Sequence, residues 1–178
     1  MKAYKKPKDQ KPPKAIRRIR KKIGDVIEVP TSKGLAYVQY THEHTTPPIW
    51  GSLIRVLKGF YKKRPTHEEL EKIVQQPHRF QTFCIVYRVV NIGDWERVEN
   101  FPVPNFAQKF LIFKNTNALP KSDLKEAIWS LWDGEKPWRV GKLSLEEQKK
   151  YPFHVICNDT ALVHHIETGK NNKGWDLC

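Results

Sequence analysis

The sequence predicts an α+β fold, in which an antiparallel β-sheet that could curve towards a barrel carries two or three peripheral helices. Runs of β-branched and aromatic residues dominate the middle of the 178-residue chain, and helical patterns interrupt them at few places. Strand and helix patterns also do not alternate as they would in a parallel α/β sheet. With 39% apolar residues, one domain of this length can bury a substantial core.

Residues 1–22 form a basic segment that we expect to be a disordered tail. They hold eleven Lys and Arg residues against the single acid Asp9, a net charge of +10. Prolines interrupt the segment and it offers little to bury, so its folding could not offset the entropy of the chain. Ile16, Ile19 and Ile23 recur at helical spacing, which predicts a short basic helical turn between tail and domain.

The folded domain is expected over residues 23–178, and it is nearly neutral. It carries 21 basic and 18 acidic residues, a net charge of +3, so the formal charge of +13 belongs mainly to the tail. The tail could bind nucleic acid, or it could be a solvated extension. Tyr4 is the only aromatic residue of the tail, so little in residues 1–22 can stack on bases, and we favour the solvated extension.

The first half of the domain contains a predicted hairpin and the clearest helix. Strand patterns lie at 26–30, 35–40 and 52–57, with a turn at 31–34 and a polar loop at 41–48. Thr66 and Glu69 have the spacing of a capping box, and Leu70 belongs to the apolar face of the helix that follows. Pro77 prevents that helix from continuing.

The second half is predicted to be mostly strands. Residues 80–90 are almost continuously β-forming, which favours a central strand covered on both faces. Ser144 and Glu147 predict a second capping box, and Asp159 or Thr160 is expected to cap a last helix that Gly169 ends. Further strands are predicted at 95–98, 110–113, 127–132, 137–140 and 153–156.

The cysteines and the amino-terminal composition predict a cytoplasmic protein. Cys84, Cys157 and Cys178 are an odd number without close pairing, which does not indicate a disulfide framework. Residues 1–22 lack the apolar segment of a signal peptide, and no run approaches the ~20 apolar residues of a membrane-spanning helix.

Two groups of histidines were weighed as sites of chemistry. His42 and His44 flank Glu43 on an extended segment, so both imidazoles could face one side. No third ligand lies at the sequence spacing of a known zinc motif. Cys157 follows His154, and His165 is nearby, yet the surrounding residues match no thiol-enzyme signature. Serine-nucleophile and phosphate-loop motifs are also missing, so the sequence predicts no enzyme, no cofactor and no metal.

The tryptophans supply the remaining candidates for a binding surface. Of the six, most are expected in the core or at its rim. Two lie beside prolines or charges, and exposed aromatic residues concentrate at binding hot spots. The candidate partner-binding residues are therefore Trp50 and Trp138, together with His42, Glu43 and His44.

Residues 22–113 carry an ordered pattern that resembles a known family. The strongest parts are a G-D-x-x-x-x-P motif at 24–30 and a W-x-x-x-x-N-x-P motif at 95–102. Segments at 34–38, 53–57 and 80–83 lie between them. The pattern resembles the immunity protein 26 family of bacterial polymorphic toxin systems, although Tyr40 and Glu99 replace glycines that are frequent there and the basic tail is an addition.

The resemblance implies a protein that binds and neutralises a cognate toxin by forming a stoichiometric complex, without catalytic residues. Inhibitors that mimic nucleic acid are strongly acidic, and a domain at +3 is not. We therefore expect a toxin surface that is acidic, near neutral or mainly apolar. The alternatives are a nucleic-acid-associated protein that binds phosphates through residues 1–22, and an enzyme that uses His154, Cys157 and His165.

Overall fold

The structure is a computed structural model that describes residues 18–119 and 123–177, and within these ranges the predicted α+β class is confirmed. The strands are β1 (Asp25–Thr31), β2 (Gly34–His44), β3 (Gly51–Val56), β4 (Phe80–Cys84), β5 (Glu96–Asn100), β6 (Phe113–Thr116), β7 (Trp129–Trp132), β8 (Pro137–Gly141) and β9 (Ile156–Cys157). The helices are α1 (His67–Val74), α2 (Val86–Ile92), α3 (Asn105–Gln108), α4 (Leu145–Lys150) and α5 (Asp159–Thr168). None of the described helices is both long and apolar enough to cross a membrane.

The strands form two sheets, both of which stay open. Six strands pair in the order β5-β1-β2-β3-β4-β9, and three pair in the order β6-β7-β8. All pairs are antiparallel except β4 with β9. The described residues therefore contain a curved two-sheet arrangement and no closed barrel.

The β1–β2 hairpin has the turn that the sequence predicts. Thr31 pairs with Gly34, so that Ser32 and Lys33 alone form the loop. Gly34 has a φ of +118°, and a Cβ there would lie 2.8 Å from the carbonyl oxygen of Tyr61. Any other residue would be strained in this backbone conformation, and its Cβ would also collide with the Tyr61 carbonyl oxygen.

The two faces of the large sheet are covered differently. On one face, Ile27 and Ile54 belong to the main core together with Leu162 and Ile166 of α5. The opposite face is covered at one end by α1, where Tyr37 packs in a cluster with Leu70 and Val74, and at the other end by the small sheet. His42 and His44 lie on this second face, next to the small sheet.

A row of polar side chains crosses the face between α1 and the small sheet. Gln39, Arg55 and Gln81 are register partners on β2, β3 and β4, and none is more than 2% exposed. The Nε of Arg55 donates to Gln39 Oε1 at 2.8 Å. Its Nη atoms donate to the carbonyl oxygens of Val74 and Gln76 at the end of α1. The positive charge there also interacts favourably with the negative end of the helix dipole. Burial lowers the Arg55 pKa to about 10.

The two motifs that carry the family resemblance meet at the β1–β5 pair. The buried Asp25 carboxylate accepts hydrogen bonds from the Tyr87 hydroxyl at 2.6 Å and from Asn100 Nδ2 at 2.9 Å. The amide of Phe101 donates to the Gly24 carbonyl, and a Cβ on Gly24, which has a φ of +93°, would overlap the Phe101 carbonyl oxygen. These motif residues therefore fix the edge of the sheet.

The predicted strand over residues 80–90 is wrong in its second half. The strand ends at Cys84, and the chain continues as α2 because Val86, Val89 and Val90 face the core at helical spacing. Gly93, in the left-handed conformation, ends the helix. Packing has overridden the β propensity of valine here.

Other predicted boundaries shift by smaller amounts. The capping boxes at Thr66 and Ser144 are present, whereas Asn158 rather than Asp159 or Thr160 caps α5. The predicted strand at 110–113 begins only at Phe113.

The chain before β1 is only partly described. The predicted helical turn is absent from residues 18–22, because the Ile19 amide instead donates to Asn91 Oδ1 at 2.9 Å and its side chain packs on the core. The predicted disorder of the tail concerns mainly residues 1–17, which lie outside the described residues.

Replacing Arg55 by methionine should strongly destabilise the fold. Arg55→Met keeps the length of the stem but leaves Gln39 Oε1 and the two carbonyl oxygens at the end of α1 without this donor. We expect the free energy of unfolding, measured by urea titration, to fall by about 3 kcal/mol. The matched change Arg88→Met, on the exposed side of α2, should cost less than about 0.5 kcal/mol. Equal stability of the two variants would contradict the structural role assigned to Arg55.

Candidate partner-binding surface

His42, Glu43 and His44 lie on β2 and not in the predicted loop over residues 41–48. The strand continues to His44 because Thr41 forms a bulge: Tyr40 pairs with Ile54 on β3, and His42 already pairs with the next residue, Leu53. The extra residue inverts the alternation of side chains. As a result, His42 and His44 face the small sheet, and Glu43 faces the same side as Tyr40.

His44 connects β2 to the small sheet. It is buried, and its Nε2–H donates to the Gly134 carbonyl oxygen at 2.7 Å, in the turn between β7 and β8. Its Nδ1 can then accept the Trp50 amide at 3.4 Å. With both nitrogens engaged in this way, the imidazole is the neutral Nε2–H tautomer. His44 thereby fixes the position of Trp50.

His42 holds the short helix α3 against the sheet. Its Nε2–H donates to the Gln108 carbonyl oxygen at 2.7 Å, and its ring makes an edge contact with Phe110 at 5.6 Å. His42 Nδ1 is buried without a hydrogen-bond partner among the described residues. Both histidine rings approach Phe110, but their Nε2 atoms bond different carbonyl oxygens, so the two imidazoles do not converge on one ligand position.

Glu43 belongs to a separate polar group on the other face. Its carboxylate accepts the Tyr40 hydroxyl, the Lys21 ammonium at 2.6 Å and, more weakly, the Ser52 hydroxyl at 3.4 Å. Burial alone would raise the pKa of Glu43, but the hydrogen bonds from Lys21 and Tyr40 bring it below the ordinary value. Burial, and then the bond to Glu43, raise the pKa of Tyr40. Glu43 therefore anchors the segment before β1.

An aromatic cluster surrounds the end of β2. The His154 ring lies 4.6 Å from that of Trp132, 5.3 Å from Trp50 and 5.6 Å from Phe83, while His44 lies 5.0 Å from Trp132. Burial lowers the pKa of His154 to about 4. His154 is therefore a neutral aromatic ring of this cluster at physiological pH.

Exposed isoleucines continue this cluster to the surface. Ile49 is 66% exposed, and Ile156, the register partner of Phe83 on the edge strand β9, is 45% exposed. Ile85, directly after β4, is 65% exposed. We call this group the Trp50 surface and define it by Ile49, Trp50, Ile85, His154 and Ile156. Exposed apolar side chains beside a half-buried aromatic residue are candidates for an interaction site.

Trp138 lies elsewhere. Trp138 pairs with Leu131 on β7. The side chain of Leu131 points into the main core, whereas that of the adjacent Trp132 points into the aromatic cluster. Neighbouring residues of a strand face opposite sides, so Trp138 faces away from the Trp50 surface. Trp50 and Trp138 are half-buried, whereas Trp95, Trp129, Trp132 and Trp175 are buried. The structure thus unites Trp50 with His44 and separates both from Trp138 and Glu43.

The structure brings only part of the cysteine and histidine group together: Cys157 and His165 are neighbours, and His154 is not. Cys84 and Cys157 are buried free thiols and register partners on β4 and β9. His165 is fully buried beside Cys157 and hydrogen-bonds Asn172 through Nε2 at 2.9 Å. His154 lies in the aromatic cluster instead, and no group of three or more potential metal ligands occurs among the described residues. Cys178 lies outside them.

Sequence reasoning missed most of the residues that build the Trp50 surface. Phe83, Phe110 and Trp132 form its floor but come from three separate segments, so no local pattern joins them. Ile156 could have been noticed in the sequence, because it is the last apolar residue of the strand predicted over residues 153–156. Comparison of the chain with protein-family models, curated proteins and solved structures found no match to any of them.

The half-buried His154 should make the protein less stable in mild acid. Its folded-state pKa of about 4 lies below the unfolded value of about 6.5, so the unfolded chain binds an extra proton between these pH values and stability falls as the pH is lowered through them. This group contributes up to about 1 kcal/mol per pH unit. His78, whose pKa burial lowers to about 4 as well, adds to the slope.

His154→Phe keeps an aromatic ring and removes the titrating group. We expect urea titrations between about pH 6.5 and 4.5 to show a shallower loss of stability than in the original protein. His164→Gln, at an exposed position of α5, is the matched control and should leave the slope unchanged. An identical slope for His154→Phe and the original protein would refute the assigned burial of His154.

Proposed function

We propose that this chain is an immunity protein, which binds a cognate bacterial toxin through the Trp50 surface and neutralises it by forming a stoichiometric complex. The observation that carries the proposal is the half-buried Trp50, directly before β3, whose ring lies 5.3 Å from that of His154, together with the exposed Ile49, Ile85 and Ile156. Aromatic anchors encircled by other apolar groups are typical centres of protein interfaces. The resemblance of residues 22–113 to the immunity protein 26 family supports the same function.

Trp50 is positioned before any partner arrives. Its amide hydrogen-bonds His44, and its ring packs on that of His154, which in turn contacts Trp132 and Phe83. A side chain already held in one place loses little conformational entropy on binding. The buried aromatic cluster therefore favours a tight complex rather than a transient one.

The charge of the domain favours an apolar contact over an electrostatic one. Residues 23–178 carry a net charge of +3, and the Trp50 surface consists of three isoleucines, a tryptophan and a neutral histidine. Such a surface complements an apolar patch of a toxin. Its association rate should depend only weakly on salt, because screening acts on charges. A cytoplasmic location belongs to the same proposal, since Cys84 and Cys157 are free thiols.

Nucleic-acid binding by the tail is the second candidate function. It rests on the net charge of +10 in residues 1–22, which suits contacts to phosphates. Residues 18–22 already contact the domain through Ile19 and Lys21, so residues 1–17 are the part to remove in a test.

Growth rescue tests the immunity function. The toxin gene adjacent to the gene for this chain is expressed in a sensitive bacterial host, with and without this protein. We expect rescue by the full chain and by a chain lacking residues 1–17, since the folded domain carries the proposed contact. An active toxin that a soluble full chain does not inhibit would refute the immunity function. Rescue that disappears with residues 1–17 would favour a role of the tail.

Two substitutions test the Trp50 surface itself. Trp50→Ala removes the anchor and Ile156→Asp places a charge within the apolar group, so each should weaken the toxin complex by about 2 kcal/mol or more, roughly 30-fold in Kd. Ile128→Asp alters an isoleucine of similar exposure, 37%, beside the small sheet and should bind within about twofold of the original. Calorimetric titration measures all three. Equal affinity for the three variants would place the contact elsewhere.

A further inference from the structure

A second candidate site is a cleft of about 820 Å³. Its wall includes Gln81 of β4, Lys114 of β6, Gln148 of α4, and Phe153 and Trp175 from the segments around α5. No residue of the Trp50 surface contributes to it. Its volume is in the usual range of pockets for small molecules, roughly 300–1,000 Å³.

Buried polar groups without partners line this cleft. In the described part of the chain, eight buried side-chain nitrogen and oxygen atoms lack a hydrogen-bond partner, and four of them belong to its lining: Gln81 Nε2, Gln81 Oε1, Trp175 Nε1 and His78 Nδ1. Gln81 is 2% exposed and Trp175 is 8% exposed. Buried groups of this kind are normally satisfied, so their concentration here indicates a bound molecule that supplies the partners.

Lys114 adds an uncompensated positive charge. It is 7% exposed, and among the described residues no carboxylate forms an ion pair with it. Its Nζ donates to the Gln148 carbonyl oxygen and lies 4.4 Å from the centre of the Phe153 ring. A single acceptor leaves two ammonium protons for a ligand. The other lysine of the lining, Lys149, is already paired with Glu146.

The aromatic residues define the remaining contact. The Phe153 and Trp175 rings are stacked, with centroids 5.4 Å apart and planes inclined by 19°. Both residues line the cleft next to the Lys114 ammonium group, which favours a molecule with an apolar part beside its charged group. The Gln81 side chain provides both a donor and an acceptor.

We propose that this cleft binds a small organic anion, whose carboxylate pairs with Lys114 while its apolar part lies against Phe153 and Trp175. The Trp175 indole N–H and the Gln81 carboxamide then bond to polar groups of the same molecule. This site is independent of the toxin contact, because the two share no residue.

The full chain is titrated with 2-naphthoate and with its neutral analogue 2-naphthamide. Since the two probes share their shape and differ in charge, naphthoate should bind once per chain with a Kd of about 1 mM or tighter, and naphthamide about tenfold more weakly. In NMR spectra, the Gln81 side-chain amide and the Trp175 indole N–H should shift on titration. The indole signal is assigned with Trp175→Phe.

Variants locate the charge that the anion needs. Lys114→Met should weaken naphthoate binding about tenfold and leave naphthamide binding unchanged, whereas Lys149→Met should bind both probes as the original does. Three results would overturn the proposal: no saturable binding of naphthoate, equal affinity for the two probes, or shifts confined to residues outside the cleft. Because the comparison of probes uses the original protein, it remains decisive even if Lys114→Met does not fold.

Discussion

The fold depends on a buried guanidinium group that pairs with no carboxylate in the part of the chain that the structure describes. Arg55 connects β2 through Gln39 to the end of α1 through the Val74 and Gln76 carbonyl oxygens, so one side chain joins two strands and a helix. Removing such a donor leaves several buried acceptors unpaired at once, which makes the arrangement specific as well as stable. The row of polar residues to which it belongs also separates α1 from the small sheet. It thereby leaves the small sheet free to support the aromatic cluster and the cleft.

Two places in the described structure offer groups that could bind another molecule: exposed apolar side chains at the Trp50 surface, and polar atoms without partners in the cleft. At the Trp50 surface, the buried rings of Phe83, Trp132 and His154 support apolar groups that water covers. In the cleft, Lys114 and Gln81 present polar capacity that the chain itself does not use. An apolar surface suits a protein partner, and a polar lining with aromatic walls suits a small molecule. The two therefore suit occupants of different kinds.

Local chemistry explains what the sequence predicts well. The Thr66 and Ser144 capping boxes and the turn at Gly34 involve residues within three positions of each other, so their geometry follows from the chain alone. Residues 86–90 became a helix because contacts with distant residues outweighed local propensity. The candidate site required still more distant information. Trp50 could be proposed from its neighbours, but its link to His154, more than a hundred residues later, exists only in the folded chain.

The bulge at Thr41 makes the layout of the surface a matter of how β2 pairs with β3 rather than of residue identity. If Thr41 paired with Leu53 in regular register, the alternation of β2 would turn Glu43 towards Phe83 and Trp132 and turn both histidines into the main core. Deleting Thr41 would instead leave His42 opposite Leu53, so the deletion would remove the bulge and keep the present directions of Glu43 and both histidines. A homologue that is one residue shorter here therefore keeps the same binding face, whereas one that retains the residue and loses the bulge exchanges the two faces of the strand end.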